Sequence, residues 1–148
     1  MIYSQYKFKF YLNASHSIYI NGNLGQSHPH TWEISLNVLK VKEKFIQFHE
    51  VENAIEAYLD KYQNTFINNI EPFNEINPTL ENICKYFKGT LRDLLKKKGW
   101  VLMTIEISET PSRSYIIDLI DEVELNGDSD GEASSTSAAD EILNIMLK

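Results

Sequence analysis

His28-Pro29-His30-Thr31-Trp32-Glu33-Ile34-Ser35-Leu36-Asn37-Val38 alternates bulky apolar with polar side chains from Trp32 onward, the period-two pattern of a strand with one buried face. Tyr6, Phe8, Phe10 and Leu12 alternate in the same way with Lys7, Lys9, Tyr11 and Asn13. Two further alternating segments lie later in the chain, Val101 to Ser108 and Ser114 to Asp121. Between the two pairs run two helical patterns. Val51, Ala54, Ile55, Tyr58, Leu59 and Tyr62 carry the first, and Leu80, Ile83, Cys84, Phe87, Leu91, Leu94 and Leu95 the second. The second starts behind Asn77-Pro78-Thr79 and stops at Gly99, just after Lys96, Lys97 and Lys98, where cations suit the helix dipole. The order strand, strand, helix, helix, strand, strand predicts an α+β fold, a four-stranded antiparallel sheet with two helices on one face. The opposite face, with Tyr11, Thr31 and Thr104, is half-polar and suited to lining a larger barrel made with copies of itself.

The 148 residues, 43% hydrophobic and 24% charged, fit one domain with a real apolar core. A single cysteine excludes an internal disulfide and points to a reducing cytoplasm. No apolar run approaches the roughly 18–20 residues of a membrane span, and the start MIYSQYKFKF has no signal-peptide core, so a soluble protein is expected. The net charge of −7 argues against a general nucleic-acid binder, yet residues 126–148 carry −4 of it and residues 1–125 only −3. Residues 1–125 read as the domain. Asn126 to Ala139 offers nothing to bury and reads as a disordered linker. It leads into Ile142, Leu143, Ile145, Met146 and Leu147, a short apolar-sided helix that is either a frayed end or a docking segment for a partner or neighbouring subunit.

The informative residues are polar ones on the inward parity. His28 and His30 fall in phase with Trp32 and Ile34, and Ala14 and His16 with Phe8 and Phe10. Continuing from Val101, Met103, Ile105 and Ile107 puts Glu109 where the next core side chain belongs. Such groups cost several kcal/mol to bury unpartnered. The three histidines read either as strand-end residues bonded to backbone or as a three-nitrogen face for a metal, with a fourth position open. Glu109 reads either as a strand-end carboxylate turning to solvent before Pro111 or as an acceptor of two parallel N–H donors from a ligand. His49, opening the first helical pattern, reads as surface.

Four separated motifs within about residues 3–122 resemble the 6-pyruvoyl-tetrahydropterin and 6-carboxy-tetrahydropterin synthase family. Asn13-Ala14-Ser15-His16 is similar to the family's first zinc-ligand segment, and Ser27-His28-Pro29-His30 to the segment supplying the other two ligands, with Pro29 where Gly is usual. Pro78-Thr79-Leu80-Glu81-Asn82 matches the opening of the family's second helix, and Ile107-Ser108-Glu109-Thr110 its Glu-Thr segment. The resemblance implies the tunnelling fold, whose sheets assemble into a barrel, usually in a dimer of trimers, with active sites between subunits. It implies Zn2+ on His16, His28 and His30, a pterin such as 7,8-dihydroneopterin triphosphate gripped by Glu109, and Thr79 and Thr110 as further ligand contacts. The family activity is a carbon–oxygen lyase step that eliminates triphosphate, for whose charge Arg113 is a candidate partner.

The departures from the pattern fall on the acid–base groups. The family's proton-shuttling cysteine lies four residues before the first histidine of the His-x-His pair, a position held here by Leu24. Cys84 reads as helix core. Aligning Phe66-Ile67-Asn68 with the family's corresponding stretch puts Gln63 and Asn64 on its Asp-His pair, and neither moves a proton at neutral pH. Two functions remain open: a zinc enzyme running a modified reaction, or a catalytically inactive zinc- and pterin-binding relative serving as sensor or oligomeric scaffold, a trimer or hexamer.

Overall fold

A computed structural model describes residues 4–40 and 47–119. The chain runs β1 (Tyr6–His16), β2 (Tyr19–Ile20), β3 (Asn23–Leu24), β4 (His28–Lys40), α1 (Phe48–Leu59), a 3₁₀ turn (Ile67–Asn69), α2 (Leu80–Lys97), β5 (Trp100–Thr110) and β6 (Arg113–Asp118). The acidic segment 126–148 and its apolar helix lie outside the described residues, as do the last two residues of the expected final strand.

β1, β4, β5 and β6 form one antiparallel sheet in that order. One face of β1 buries Phe8, Phe10, Leu12, Ala14 and His16; the matching face of β4 buries Trp32, Ile34, Leu36 and Val38. Both helices supply the other half of this core, α1 through Val51, Ile55 and Leu59 and α2 through Ile83, Cys84, Phe87, Leu91 and Leu95. Polar residues on the far faces keep the helices as a single layer over one side of the sheet. The Thr79 hydroxyl caps α2 by accepting from Asn82 N at 3.1 Å, and Gly99, at φ 86°, ends it. The first helical pattern outlasts its helix. α1 stops at Leu59, and Tyr62 reaches the core from a turn whose N–H returns to the Leu59 carbonyl at 2.9 Å.

Two irregularities change what the alternation implied. The β4–β5 register breaks beside Asn37 and Val38, leaving Met103 as an extra residue on β5. Trp100 and Leu102 therefore join the core with Ile105 and Ile107, whereas Val101 and Met103, also buried, do not. The inward placement of Val101 and Met103 expected from simple alternation is corrected by this bulge. A second break, between Ser108 and Thr110 where β5 meets β6, makes Glu109 itself the extra residue. The small β2–β3 hairpin was not anticipated either, although Asn21-Gly22, with φ of 52° and 82°, is the favoured sequence for such a turn.

Candidate metal centre

The register of β1 on β4 sets His16 opposite His28 and Ala14 opposite His30. Because β1 and β4 end here with the same parity, the three rings meet, with centroids 4.5 Å (His16–His28), 5.1 Å (His16–His30) and 4.8 Å (His28–His30) apart. One nitrogen from each lies within 4.8 Å of the others. The Trp32 indole floors the cluster, 5.0 Å from His16 and 5.2 Å from His30.

Neighbouring carbonyls orient the rings. His16, fully buried, donates from Nδ1 to the Pro78 carbonyl at 2.8 Å, and His28 Nδ1 lies 3.1 Å from the Gln26 carbonyl. A carbonyl only accepts, so Nε2 of each ring is left with its lone pair toward the cluster. Burial, the largest influence, holds His16 below the usual histidine range against the opposing pull of the Pro78 bond and Glu109; His30 is lowered chiefly by burial too. Neutral imidazoles are the form that ligates metal.

Glu109 completes the group. Its Oε1 stands 3.4 Å from His16 Nε2 and 3.6 Å from His30 Nε2, while Oε2 faces Arg113 Nη2 at 3.4 Å. His16 Nε2 and Glu109 Oε1 are both buried without a hydrogen-bond partner. Two orphaned buried atoms, on His16 and Glu109, beside the two further imidazoles of His28 and His30 make a donor set that fits a metal ion.

The segment Asn77-Pro78-Thr79 ties three elements together beside His16. Asn77 pairs with both backbone groups of Tyr19 at 2.9 and 3.0 Å, Pro78 orients His16, and Thr79 caps α2. Asn68 clamps Ser17 likewise, at 2.9 and 2.8 Å. Sequence reasoning took Thr79 as a ligand contact and missed the roles of Asn77, Pro78 and Asn68. Their polar side chains and carbonyls act at sequence separations of about fifty to sixty, beyond any local pattern.

Of Leu24, Gln63 and Asn64, which the resemblance aligns with the family's acid–base positions, Asn64 alone lines a cleft beside His30. Leu24 sits on the exposed β2–β3 hairpin, 49% accessible. The Gln63 amide is fully used on the sheet edge, accepting from Asn13 N at 2.9 Å and donating to the Tyr11 carbonyl at 2.8 Å. The Asn64 N–H donates to the Asn13 carbonyl at 2.6 Å. This open cleft of about 590 Å³ lies beside the histidine cluster, lined by Ala14, Ser15, Pro29, His30, Asn64 and Phe66, within the size range of small-molecule sites. His49 is on the surface, 96% exposed.

Cys84 is fully buried, and burial pushes its thiol up to about 12, so the thiolate is scarce at any ordinary pH. Thiol-reactive reagent at pH 8 is expected to label native protein no faster than the chain opens, at least about 10²-fold more slowly than denatured protein. Rapid labelling of the native form would restore Cys84 as a candidate nucleophile.

A model of the family described as "6-pyruvoyl tetrahydropterin synthase" matches residues 5–119. Among solved structures, the chain is similar to the Caenorhabditis elegans 6-pyruvoyl tetrahydropterin synthase, with 16% identity, a TM-score of 0.62, and coverage of 78% of this chain and 94% of that one. The Plasmodium falciparum 6-pyruvoyl tetrahydropterin synthase gives 18% identity and a TM-score of 0.55, covering 78% and 98%. An uncharacterized Wolinella succinogenes protein gives 13% and 0.59, covering 78% and 97%. A comparison with curated proteins finds no match. At these identities the solved structures share the fold, while the family match spans most of the sequence and both strands that carry the histidines. The chain belongs to the 6-pyruvoyl tetrahydropterin synthase family.

Proposed function

We propose that the protein is a zinc-dependent pterin-binding member of its family, with His16, His28 and His30 as the metal ligands. The observation that carries this reading is the convergence of three imidazoles, two with their outer nitrogens tied to carbonyls and the third, His30, completing the face. Zinc, when bound, supplies Lewis-acid polarisation of ligand oxygens. Glu109 is our candidate to receive the paired N–H groups of a pterin ring such as that of 7,8-dihydroneopterin triphosphate. Thr110, next to it in β5, and Thr79, next to the carbonyl that orients His16, are secondary contacts. Arg113, mostly exposed and paired with Glu109 Oε2 at 3.4 Å, is our candidate to meet an anionic substituent as well.

The purified protein is expected to carry about one zinc per chain and to lose it in His28→Ala. Neopterin binding, followed by fluorescence titration, is expected to weaken about tenfold or more in Glu109→Ala, the loss of a charge-assisted hydrogen-bonded pair. Metal-free native protein would remove the zinc reading; unaltered neopterin affinity would remove Glu109 from ring recognition.

A binding role rather than ordinary lyase turnover is favoured by two features. The amide of Gln63 is spent on the β1 backbone, and Leu24 projects from a hairpin. Metal and ring recognition are retained in this reading, and the acid–base groups of the family reaction are not. Cytoplasmic location and assembly into a homo-oligomer, trimer or hexamer, belong to the same proposal; no described helix is long and apolar enough to cross a membrane.

A further inference from the structure

We propose that Glu109 is the fourth metal ligand, so that in the absence of a small molecule the site is closed by the protein's own carboxylate; this rests on the three-histidine reading above. The Pro78 carbonyl fixes the proton of His16 on Nδ1, so its Nε2 presents a lone pair. Facing it at 3.4 Å is Glu109 Oε1, and an ionised carboxylate is also purely an acceptor. The same oxygen lies 3.6 Å from His30 Nε2. His16 is fully buried, the Glu109 side chain is only 10% exposed, and neither facing atom has a hydrogen-bond partner.

Two electron-pair donors held face to face away from water repel unless a cation lies between them. A single proton is the simpler candidate, but a charge-assisted N–H···O bond closes to about 2.7–2.9 Å, well short of these separations. A four-coordinate zinc ion with bonds of about 2.0–2.2 Å spaces its ligand atoms about 3.3–3.6 Å apart, which matches both contacts. The bulge that makes Glu109 an extra residue on β5 is the local cause, since a bulge re-aims its side chain, and Arg113 holds the second oxygen. A pterin ring that needs both oxygens of Glu109 must then draw Oε1 off the metal, so that ring and metal share one carboxylate.

Zinc affinity by competition with a chelating dye, together with the visible spectrum of the cobalt-substituted full chain, tests this assignment. Glu109→Gln is expected to bind zinc about tenfold or more weakly and to shift the cobalt bands. Glu109→Ala, which removes any amide oxygen from the site, should change both readouts in the same direction, with metal-free melting curves checking that each variant is folded. Unchanged affinity and unchanged bands in both variants would overturn the fourth ligand and leave the three-histidine site standing. A wild-type chain that takes up neither zinc nor cobalt would overturn both.

Discussion

Replacing His16 with alanine is expected to abolish metal binding and, separately, to destabilise the metal-free protein by about 2–4 kcal/mol. The two effects have different origins. The first follows from the proposed ligand set, in which no other described imidazole takes the place of His16. The second arises because His16 is a core residue, fully buried against Trp32 and bonded to the Pro78 carbonyl; removing it leaves a cavity and an unpaired acceptor. His28 is less buried, and its nearest polar partner is the Gln26 carbonyl two residues away. His28→Ala should therefore lose the metal equally while costing the metal-free form under about 1 kcal/mol. Urea denaturation of both variants with chelator present separates the two contributions. Equal metal-free stabilities would show that His16 has no packing role, and full zinc occupancy in either variant would exclude that residue as a ligand.

The zinc-loaded protein is expected to convert 7,8-dihydroneopterin triphosphate at least about 10² to 10⁴-fold more slowly than family members that carry an acid–base group, the usual contribution of such a group. The physical basis is the state of the residues that the resemblance aligns with the family's acid–base groups. Leu24 has no titratable atom, the Gln63 amide is engaged at both ends with the backbone of β1, and Asn64 does not ionise. Cys84, the remaining thiol, is sealed under the helix with its proton held. Product analysis after prolonged incubation decides the matter. Substantial formation of 6-pyruvoyl- or 6-carboxy-tetrahydropterin would place a base among groups not identified above and return the protein to the lyases.

The parts of the fold that were legible in the sequence are those where only one face is apolar. Phe8, Phe10 and Leu12 between lysines, or Trp32 to Val38 between polar residues, admit one parity, and extending it brought His16, His28, His30 and Glu109 to one place. The stretch Trp100-Val101-Leu102-Met103 is apolar on both faces, so it carries no parity of its own and its bulge was invisible. Glu109 was placed correctly only because Ile105 and Ile107 lie beyond that bulge. Polar side chains used as backbone substitutes were equally hidden. Gln63, Asn68 and Asn77 imitate peptide groups for strands or loops far away in sequence, and composition does not distinguish such an amide from a solvated one. The Asn21-Gly22 turn signal is local, but the strands it joins are two residues each, too short to show any alternation.

The two bulges of β5 have a consequence for fidelity during folding. A strand of unbroken alternation can slide by two residues along its neighbour and keep every side chain on its proper face, a mistake that hydrophobic burial alone barely penalises. β5 cannot, because it is notched twice, once against β4 near Met103 and once against β6 at Glu109. Sliding would have to move both notches together, so the strand works like a key cut on two edges, and the carboxylate at its end arrives at the histidines in one position only.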